Sequence, residues 1–190
     1  MLHLARMLRR AIDVQAVVLG RDGVGDLPLE VELLLAADVE GVVWAAGGVP
    51  GGHSLYVKDG VLRYTFNWIG TTLQDVVATS SLTPGTHVLA ADFVASGPSS
   101  NPAMPGAEGT LTLYVDDQAV GSGTIITQPG YFCLTGDGIC VGRDSASAVT
   151  PEYQAPFPFT GGSIDKVVVD VSGEGYLNHE QKVAAWFGID

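Results

Sequence analysis

Ser54-Leu55-Tyr56-Val57-Lys58 and Leu62-Arg63-Tyr64-Thr65-Phe66-Asn67-Trp68 flank the dipeptide Asp59-Gly60. Apolar and polar residues alternate along both segments, and this period of two is typical of β-strands with one buried face. Asp-Gly suits a two-residue turn in which both positions need positive φ. The segment therefore predicts a β-hairpin whose buried face carries Leu62, Tyr64, Phe66 and Trp68.

Similar short strands follow on both sides of this hairpin. They are predicted at 29–33, 42–44, 86–94, 110–115, 118–126 and 163–171, with a tight turn at Asp116-Asp117. Loops rich in Gly, Pro and Ser are predicted over 47–52, 96–106 and 145–162. Because helical segments do not alternate with the strands, the pattern favours an all-β, antiparallel two-sheet jelly-roll sandwich.

The two ends of the chain show helical patterns instead. Apolar residues recur at helical spacing over 1–15, and Asn178 with Gln181 forms a capping-box pattern. We therefore expect a basic amphipathic arm at 1–20, the jelly-roll domain at 21–174 and a short helix at 175–190 that packs on the sandwich. The arm is interpreted either as a docking segment or as the remnant of a longer ancestor.

Charge and hydropathy limit the partners of this chain. Its 190 residues are 46% hydrophobic and 16% charged, and its net charge is −12. The apolar content excludes a disordered acidic chain, and the negative charge disfavours nucleic acid and anionic membrane surfaces. Apolar runs long enough to span a membrane are absent from the sequence, and arginines interrupt the region where a signal peptide would lie. We therefore expect a cytoplasmic protein.

The segment Gly51-Gly52-His53 followed by the 54–60 hairpin strand resembles the C-terminal domain of bacterial arylsulfatases. Further matching segments follow in the same order over 109–116, 141–144, 151–153 and 156–161. The resemblance covers about residues 27–172. It implies a concanavalin A-like jelly-roll and an accessory domain that stands alone.

The catalytic motif of the sulfatase family is not matched. That motif is Cys (or Ser)-x-Pro-Ser-Arg, and neither Cys133 nor Cys140 begins such a sequence. Without an activated nucleophile and a cation, sulfate-ester hydrolysis cannot be assembled from the matched residues. We interpret the two cysteines as reduced, packed thiols, although a hairpin turn between Gly136 and Asp137 would place them opposite each other.

Two groups of side chains are candidate ligand sites. Tyr56 and Tyr114 lie on the strand faces opposite to the apolar faces, so their rings are candidates for stacking against sugars. Arg143 and Asp144, with Tyr153 in the following loop, form the second group. Asp144 is the candidate ligand for Ca²⁺, and the alternative is an Arg-Asp pair that fastens the loop to the sheet. The chain is not expected to require a cofactor.

Three functions remain open. The leading hypothesis is a non-catalytic binding or assembly module, with glycans as the first candidate ligands. The second is a concanavalin-like hydrolase acting on a glycoside or sulfate ester, for which Glu30 and Glu32 on one strand face would be the acidic pair, although a solvated face explains them as well. The third is a structural partner of a separate sulfatase catalytic chain, with homo-oligomerisation through the terminal helices as a further possibility.

Overall fold

The computed structural model describes residues 29–128, 138–145 and 147–169, and its regular elements are nine β-strands. They are β1 (Leu29–Gly48), β2 (Gly51–Lys58), β3 (Val61–Trp68), β4 (Thr72–Ser81), β5 (Gly85–Pro98), β6 (Ala107–Val115), β7 (Gln118–Ile126), β8 (Ile139–Val141) and β9 (Thr160–Val169). All strand pairs are antiparallel. The all-β prediction is confirmed for these residues. The predicted arm at 1–20 and the predicted helix at 175–190 lie outside them.

Both predicted tight turns are present. Lys58 pairs with Val61 across Asp59 and Gly60, which have φ of 53° and 68°. Val115 pairs with Gln118 across Asp116 and Asp117, at 49° and 64°. Positive φ at both central positions defines the type I′ hairpin turn, so the local sequence sets the register of both hairpins.

Strand β1 belongs to two groups of strands. Its residues Leu29–Leu35 pair with β5 and β9, and Gly41–Gly48 pair with β2, with β8 on the other side of Trp44–Ala46. We call β9-β1-β5-β6-β7 the first sheet and β8-β1-β2-β3-β4 the second sheet. The two strands predicted at 29–33 and 42–44 are thus one strand of 20 residues. A Cβ on Gly41 would lie 2.2 Å from the carbonyl oxygen of Pro158, so only glycine fits between the two halves.

The main core contains side chains from both sheets. The second sheet contributes the predicted inward face of β3 together with Leu55 and Val76, and the first sheet contributes Leu89, Leu111, Leu113 and Ile125. These side chains are at most 8% exposed. One apolar cluster shared by two antiparallel sheets is the arrangement of a β-sandwich.

Strands β4 and β7 lie side by side where the two sheets meet at one edge. The side-chain amide of Gln74 donates to the carbonyl of Ile126 at 2.9 Å and accepts from its N–H at 2.7 Å. Thr79 donates to the carbonyl of Val120 at 3.0 Å. Gly121 has no side chain to separate the strands, and a Cβ there would lie 2.6 Å from the carbonyl oxygen of Val77. Side chains thus satisfy backbone groups that an exposed sheet edge leaves open.

Within the described ranges, the structure contains no helix of the length and apolarity needed to cross a membrane.

Candidate functional site

The loop of residues 142–145 and 147–159, which we call the covering loop, packs on the outer face of the second sheet. Its backbone is fastened to β1 because Gly142 donates to the carbonyl of Val43 and Val42 donates to that of Phe157, both at 3.0 Å. Tyr153 stacks on Phe157 and contacts Tyr56 edge-on, with ring centroids 5.1 Å apart in each pair. These side chains form a second apolar cluster on the face opposite to the main core.

Asp144 fastens the covering loop from within. Its Oδ2 accepts from the Tyr153 hydroxyl at 2.5 Å and from the N–H of Val149 at 3.2 Å, and its Oδ1 accepts from the N–H of Ser145 at 2.9 Å. The Tyr153 oxygen lies 3.0 Å from Oγ of Ser54. Because a phenol has one hydrogen, which goes to the carboxylate, Ser54 donates to Tyr153. Burial, followed by the bond to Asp144, raises the pKa of Tyr153.

The predicted exposure of Tyr56 is wrong. Its side chain is 1% exposed, because the covering loop lies over the sheet face on which the alternation places it. Its hydroxyl lies 3.3 Å from Oγ1 of Thr65, which donates to Asp75 at 2.5 Å. Burial raises the pKa of Tyr56. Tyr153 is likewise buried, at 7%, so neither ring offers a face to a sugar in this structure.

Asp144 does not have the surroundings that the Ca²⁺ prediction required. The carboxylate is 1% exposed and accepts three hydrogen bonds, so protein donors already take three of its roughly four acceptor positions. Among the residues that the structure describes, no group of three or more His, Cys, Asp or Glu side chains is arranged to hold a metal ion. The alternative prediction was that this residue fastens the loop. The hydrogen bonds of Asp144 fit that role. Its partners, however, are Tyr153 and backbone amides and not Arg143, which is exposed.

Asn67 has a fastening role that the sequence analysis missed. It is 5% exposed, and its side-chain amide donates to the carbonyl oxygens of Val49 and Val149 at 3.2 and 2.9 Å. Its Oδ1 accepts from the N–H of Gly70 at 2.9 Å. One amide thus holds three loops together at the end of the second sheet. The available signal was a polar residue between Phe66 and Trp68, next to the glycine at position 70.

Lys58, Arg63 and Glu152 form a charged cluster at the margin of the covering loop. Nζ of Lys58 is 3.2 Å from Oε2 of Glu152 and also donates to the Glu152 carbonyl at 2.7 Å. Nη1 of Arg63 is 3.7 Å from the same Oε2. All three side chains reach solvent. Since Arg63 pairs with Tyr56 across β2 and β3, the cluster lies above the buried tyrosines.

Tyr114 lies away from these residues, on the outer face of the first sheet. It pairs with Ala90 on β5 and with Ala119 on β7, and it is half-buried. In the neighbouring row Thr112 pairs with Ser122, and their hydroxyl oxygens are 3.4 Å apart. The structure therefore brings Tyr56, Tyr153 and Asp144 together and keeps Tyr114 on a separate surface.

Two histidines have defined structural surroundings. Nδ1 of His53 is 3.1 Å from the Tyr64 hydroxyl, and burial lowers the pKa of His53 to about 4. Nδ1 of His87 is 2.6 Å from Oδ2 of Asp116, and its Nε2 is 2.8 Å from the carbonyl oxygen of Thr83. Both ring nitrogens of His87 therefore have partners, as expected of a structural residue.

Two other predictions are tested only in part. Cys140 carries a free, half-buried thiol, but Cys133 lies outside the described residues. The backbone of Glu30 and Glu32 is in β1, but their side chains lie outside those that the structure describes.

The chain is similar in fold to domains of laminin chains. It superposes on mouse laminin alpha1 domains LG4-5 with a TM-score of 0.50 and 13% identity, over 82% of this chain and 37% of that one. For the LG1-3 region of the laminin alpha2 chain, the TM-score is 0.51, the identity 11% and the coverage 82% and 31%. A heptameric SAP-like pentraxin from Limulus polyphemus gives a TM-score of 0.47 at 12% identity, over 85% and 70%.

The two laminin similarities establish the fold class and no more. This chain spans about a third of the length of the two laminin structures, and identities this low carry no function. The predicted concanavalin-like jelly-roll is supported by the laminin G-like structures. No family model and no curated protein matches the sequence, so the resemblance to arylsulfatase C-terminal domains depends on the sequence segments alone.

Proposed function

We propose that this chain is a non-catalytic binding module that takes carbohydrate ligands on the outer face of the first sheet, around Tyr114. The observation that carries the proposal is the contrast between the predicted aromatic candidates. Tyr56 and Tyr153 are buried and hydrogen-bonded, whereas Tyr114 stands half-buried on the outer face of the first sheet.

The neighbours of Tyr114 suit a sugar. Ala90 and Ala119, its partners on either side, end at Cβ and therefore do not rise beside the ring. Thr112 and Ser122 supply hydroxyl groups one row away. An aromatic ring that packs on the apolar face of a sugar, beside groups that hydrogen-bond its hydroxyls, combines the two contacts expected of a carbohydrate site.

The buried hydroxyl network of the second sheet supports the non-catalytic part of the proposal. Ser54 is 0% exposed and donates its hydrogen to Tyr153, and Asp144 is buried and accepts three hydrogen bonds from other groups. A nucleophile must reach its substrate and transfer its proton to a base, and this serine does neither in the structure.

The proposal extends to the arylsulfatase-type accessory role. Gly52, in the segment that carries the resemblance, permits the close β1–β2 approach, because a Cβ there would lie 2.2 Å from the carbonyl oxygen of Ala46. The shared segment therefore serves the architecture of the sandwich, which an accessory domain would retain without catalytic residues. Under this proposal the partner is a glycan or a separate sulfatase catalytic chain, the terminal segments 1–20 and 175–190 permit homo-oligomers, and the protein acts in the cytoplasm without a required cofactor.

The test is a glycan array with and without Ca²⁺, followed by titration calorimetry on the best neutral glycan. Tyr114→Ala should weaken binding about tenfold or more, because the stacking contact is lost, and Tyr114→Phe should retain most of the affinity. Val77→Ala, on the outer face of β4, is the matched control. Unchanged affinity in Tyr114→Ala would contradict the proposal, and so would turnover of a generic arylsulfate that survives repurification.

A further inference from the structure

Two of the four basic side chains in the described ranges converge on one point of this acidic protein. These four are Lys58, Arg63, Arg143 and Lys166. Lys58 and Arg63 approach the same carboxylate oxygen, Oε2 of Glu152, at 3.2 and 3.7 Å. In a chain with a net charge of −12, this places two positive side chains against a single carboxylate.

Lys58 holds its position without the help of that carboxylate. Its Nζ donates to the backbone carbonyl of Glu152 at 2.7 Å, a bond that remains if the Glu152 side chain turns away. An ammonium group has three hydrogens, so donors remain for a second acceptor.

Arg63 is only partly satisfied by Glu152. The 3.7 Å separation between Nη1 and Oε2 is longer than a hydrogen bond, and buried Nε has no acceptor within the part of the chain that the structure describes. A guanidinium group recognises carboxylate and sulfate through parallel N–H donors. Because Nε is buried and the side chain as a whole is 25% exposed, the donors of Arg63 that remain for such a group are those on its two Nη nitrogens.

The Glu152 carboxylate occupies this position weakly. Its side chain is 44% exposed and belongs to the covering loop, and exposed ion pairs contribute little because water and salt screen them. A ligand oxyanion can therefore replace it with little loss of stability.

We propose that Lys58 and Arg63 form a binding site for a single oxyanion group, a carboxylate or sulfate ester on a small ligand, which replaces the Glu152 carboxylate. Other carboxylates lie on this part of the second sheet, among them Asp75, whose Oδ1 accepts from Thr65, and Glu40, whose Oε1 accepts from the N–H of Asp59 next to Lys58. Since the surrounding surface is acidic, the site selects a ligand with one anionic group over a polyanion. This site lies on the second sheet and is independent of the surface around Tyr114.

Glucuronate, glucose 6-sulfate and glucose are the probes, and their binding is followed by ¹H–¹⁵N spectra that include the Arg63 Nε–H signal. We expect the two acidic probes to shift this signal and glucose to leave it in place, with weaker binding as salt is raised. Comparison of the two acidic probes distinguishes a carboxylate ligand from a sulfate ester. If neither acidic probe moves the Arg63 signal, the proposal is overturned.

Substitutions separate binding from a merely structural ion pair. Arg63→Gln and Lys58→Gln should each weaken binding of the acidic probe about tenfold. Glu152→Gln should tighten it about three- to fivefold, because the internal competitor is removed. Lys166→Gln, a cation on β9, is the control and should bind as the wild type does.

The increase in affinity for the acidic probe in Glu152→Gln is the decisive measurement. Equal or weaker binding in that variant would contradict the proposal, as would wild-type affinity in Arg63→Gln. Dispersed spectra of each variant verify folding. Tyr114→Ala should leave this binding unchanged, so failure of the carbohydrate proposal and failure of this one are distinguishable.

Discussion

The hydroxyl of Tyr153 donates a 2.5 Å hydrogen bond to Oδ2 of Asp144, nine residues earlier in the same loop, and both side chains are buried. Through Ser54 the same hydroxyl is joined to β2. A loop without regular secondary structure is thereby fastened to the sheet by charge-assisted hydrogen bonding.

Asp144→Ala should therefore destabilise the protein by about 3 kcal/mol, because it removes the charged acceptor of the Tyr153 hydroxyl and leaves the buried N–H of Val149 and the part-buried N–H of Ser145 without an acceptor. Tyr153→Phe should cost about 1–2 kcal/mol. Urea denaturation measures both, and the exposed Asp165→Ala is the control. Ca²⁺ or EDTA should leave the wild-type Tm unchanged. A Ca²⁺-dependent rise in Tm that disappears in Asp144→Ala would support the metal prediction instead.

The stability of the protein should fall in mild acid because of His53. Burial lowers the pKa of His53 from 6.5 to about 4, so the unfolded chain binds a proton more readily than the folded chain between these values. The contribution of neutral His53 to the free energy of unfolding is therefore complete above pH 6.5, and it is lost as the pH falls towards 4. Since His53 is half-buried, we expect a loss of about 2–3 kcal/mol.

Urea denaturation at several pH values tests this expectation. His53→Asn, which can keep a hydrogen-bonding atom near the Tyr64 hydroxyl, should flatten the pH dependence in this window. If the stability of His53→Asn depends on pH as steeply as that of the wild type, the loss of stability in acid is due to other groups.

Asp116 should stabilise the β6–β7 turn at neutral pH. The N–H of Val88 donates to its carboxylate at 2.9 Å, and with the nearby His87 this bond lowers the pKa of Asp116 below its ordinary value. The contribution is therefore present above the ordinary aspartate pKa and lost as the pH falls below it. Asp116→Asn, which still tolerates positive φ, should be less stable than the wild type at neutral pH and equally stable near pH ~2. A stability difference that persists in strong acid would contradict this account.

Contact between β4 and β7 should be sensitive to one methyl group. A Cβ on Gly121 would lie 2.6 Å from the carbonyl oxygen of Val77, whereas a Cβ on Gly138 meets no atom of the described residues within 4 Å. We expect Gly121→Ala to destabilise the protein by about 2 kcal/mol through steric overlap, and Gly138→Ala to change stability by less than about 0.5 kcal/mol. Equal thermal denaturation curves for the two variants would show that this contact is not tight.

The sequence was informative wherever local chemistry determines structure. Asp59-Gly60 and Asp116-Asp117 require positive φ, and both turns are present. Strand β4 was missed because inward-facing Gln74 and outward-facing Leu73 and Val77 disturb the alternation of apolar and polar residues. Gln74 is polar because it bonds to the backbone of β7, a partner that only the tertiary structure supplies.

The candidate site was harder to predict for a related reason. Alternation correctly places Tyr56 opposite to Leu55 and Val57, but it cannot reveal what covers that face. Tyr153, which covers it, is 97 residues further along the chain. The alternation in the sequence determines on which side of a strand a side chain lies, whereas its exposure to solvent depends on segments that are distant in the sequence.

Strand β1 has a mechanical consequence for the molecule. Its first residues lie in the first sheet and its last residues in the second sheet. Neither sheet can therefore separate from the other while β1 stays paired in both. Disruption of one sheet, by force or by proteolytic cleavage, therefore also disrupts the other sheet through β1. We expect the two sheets to unfold together in a single cooperative transition.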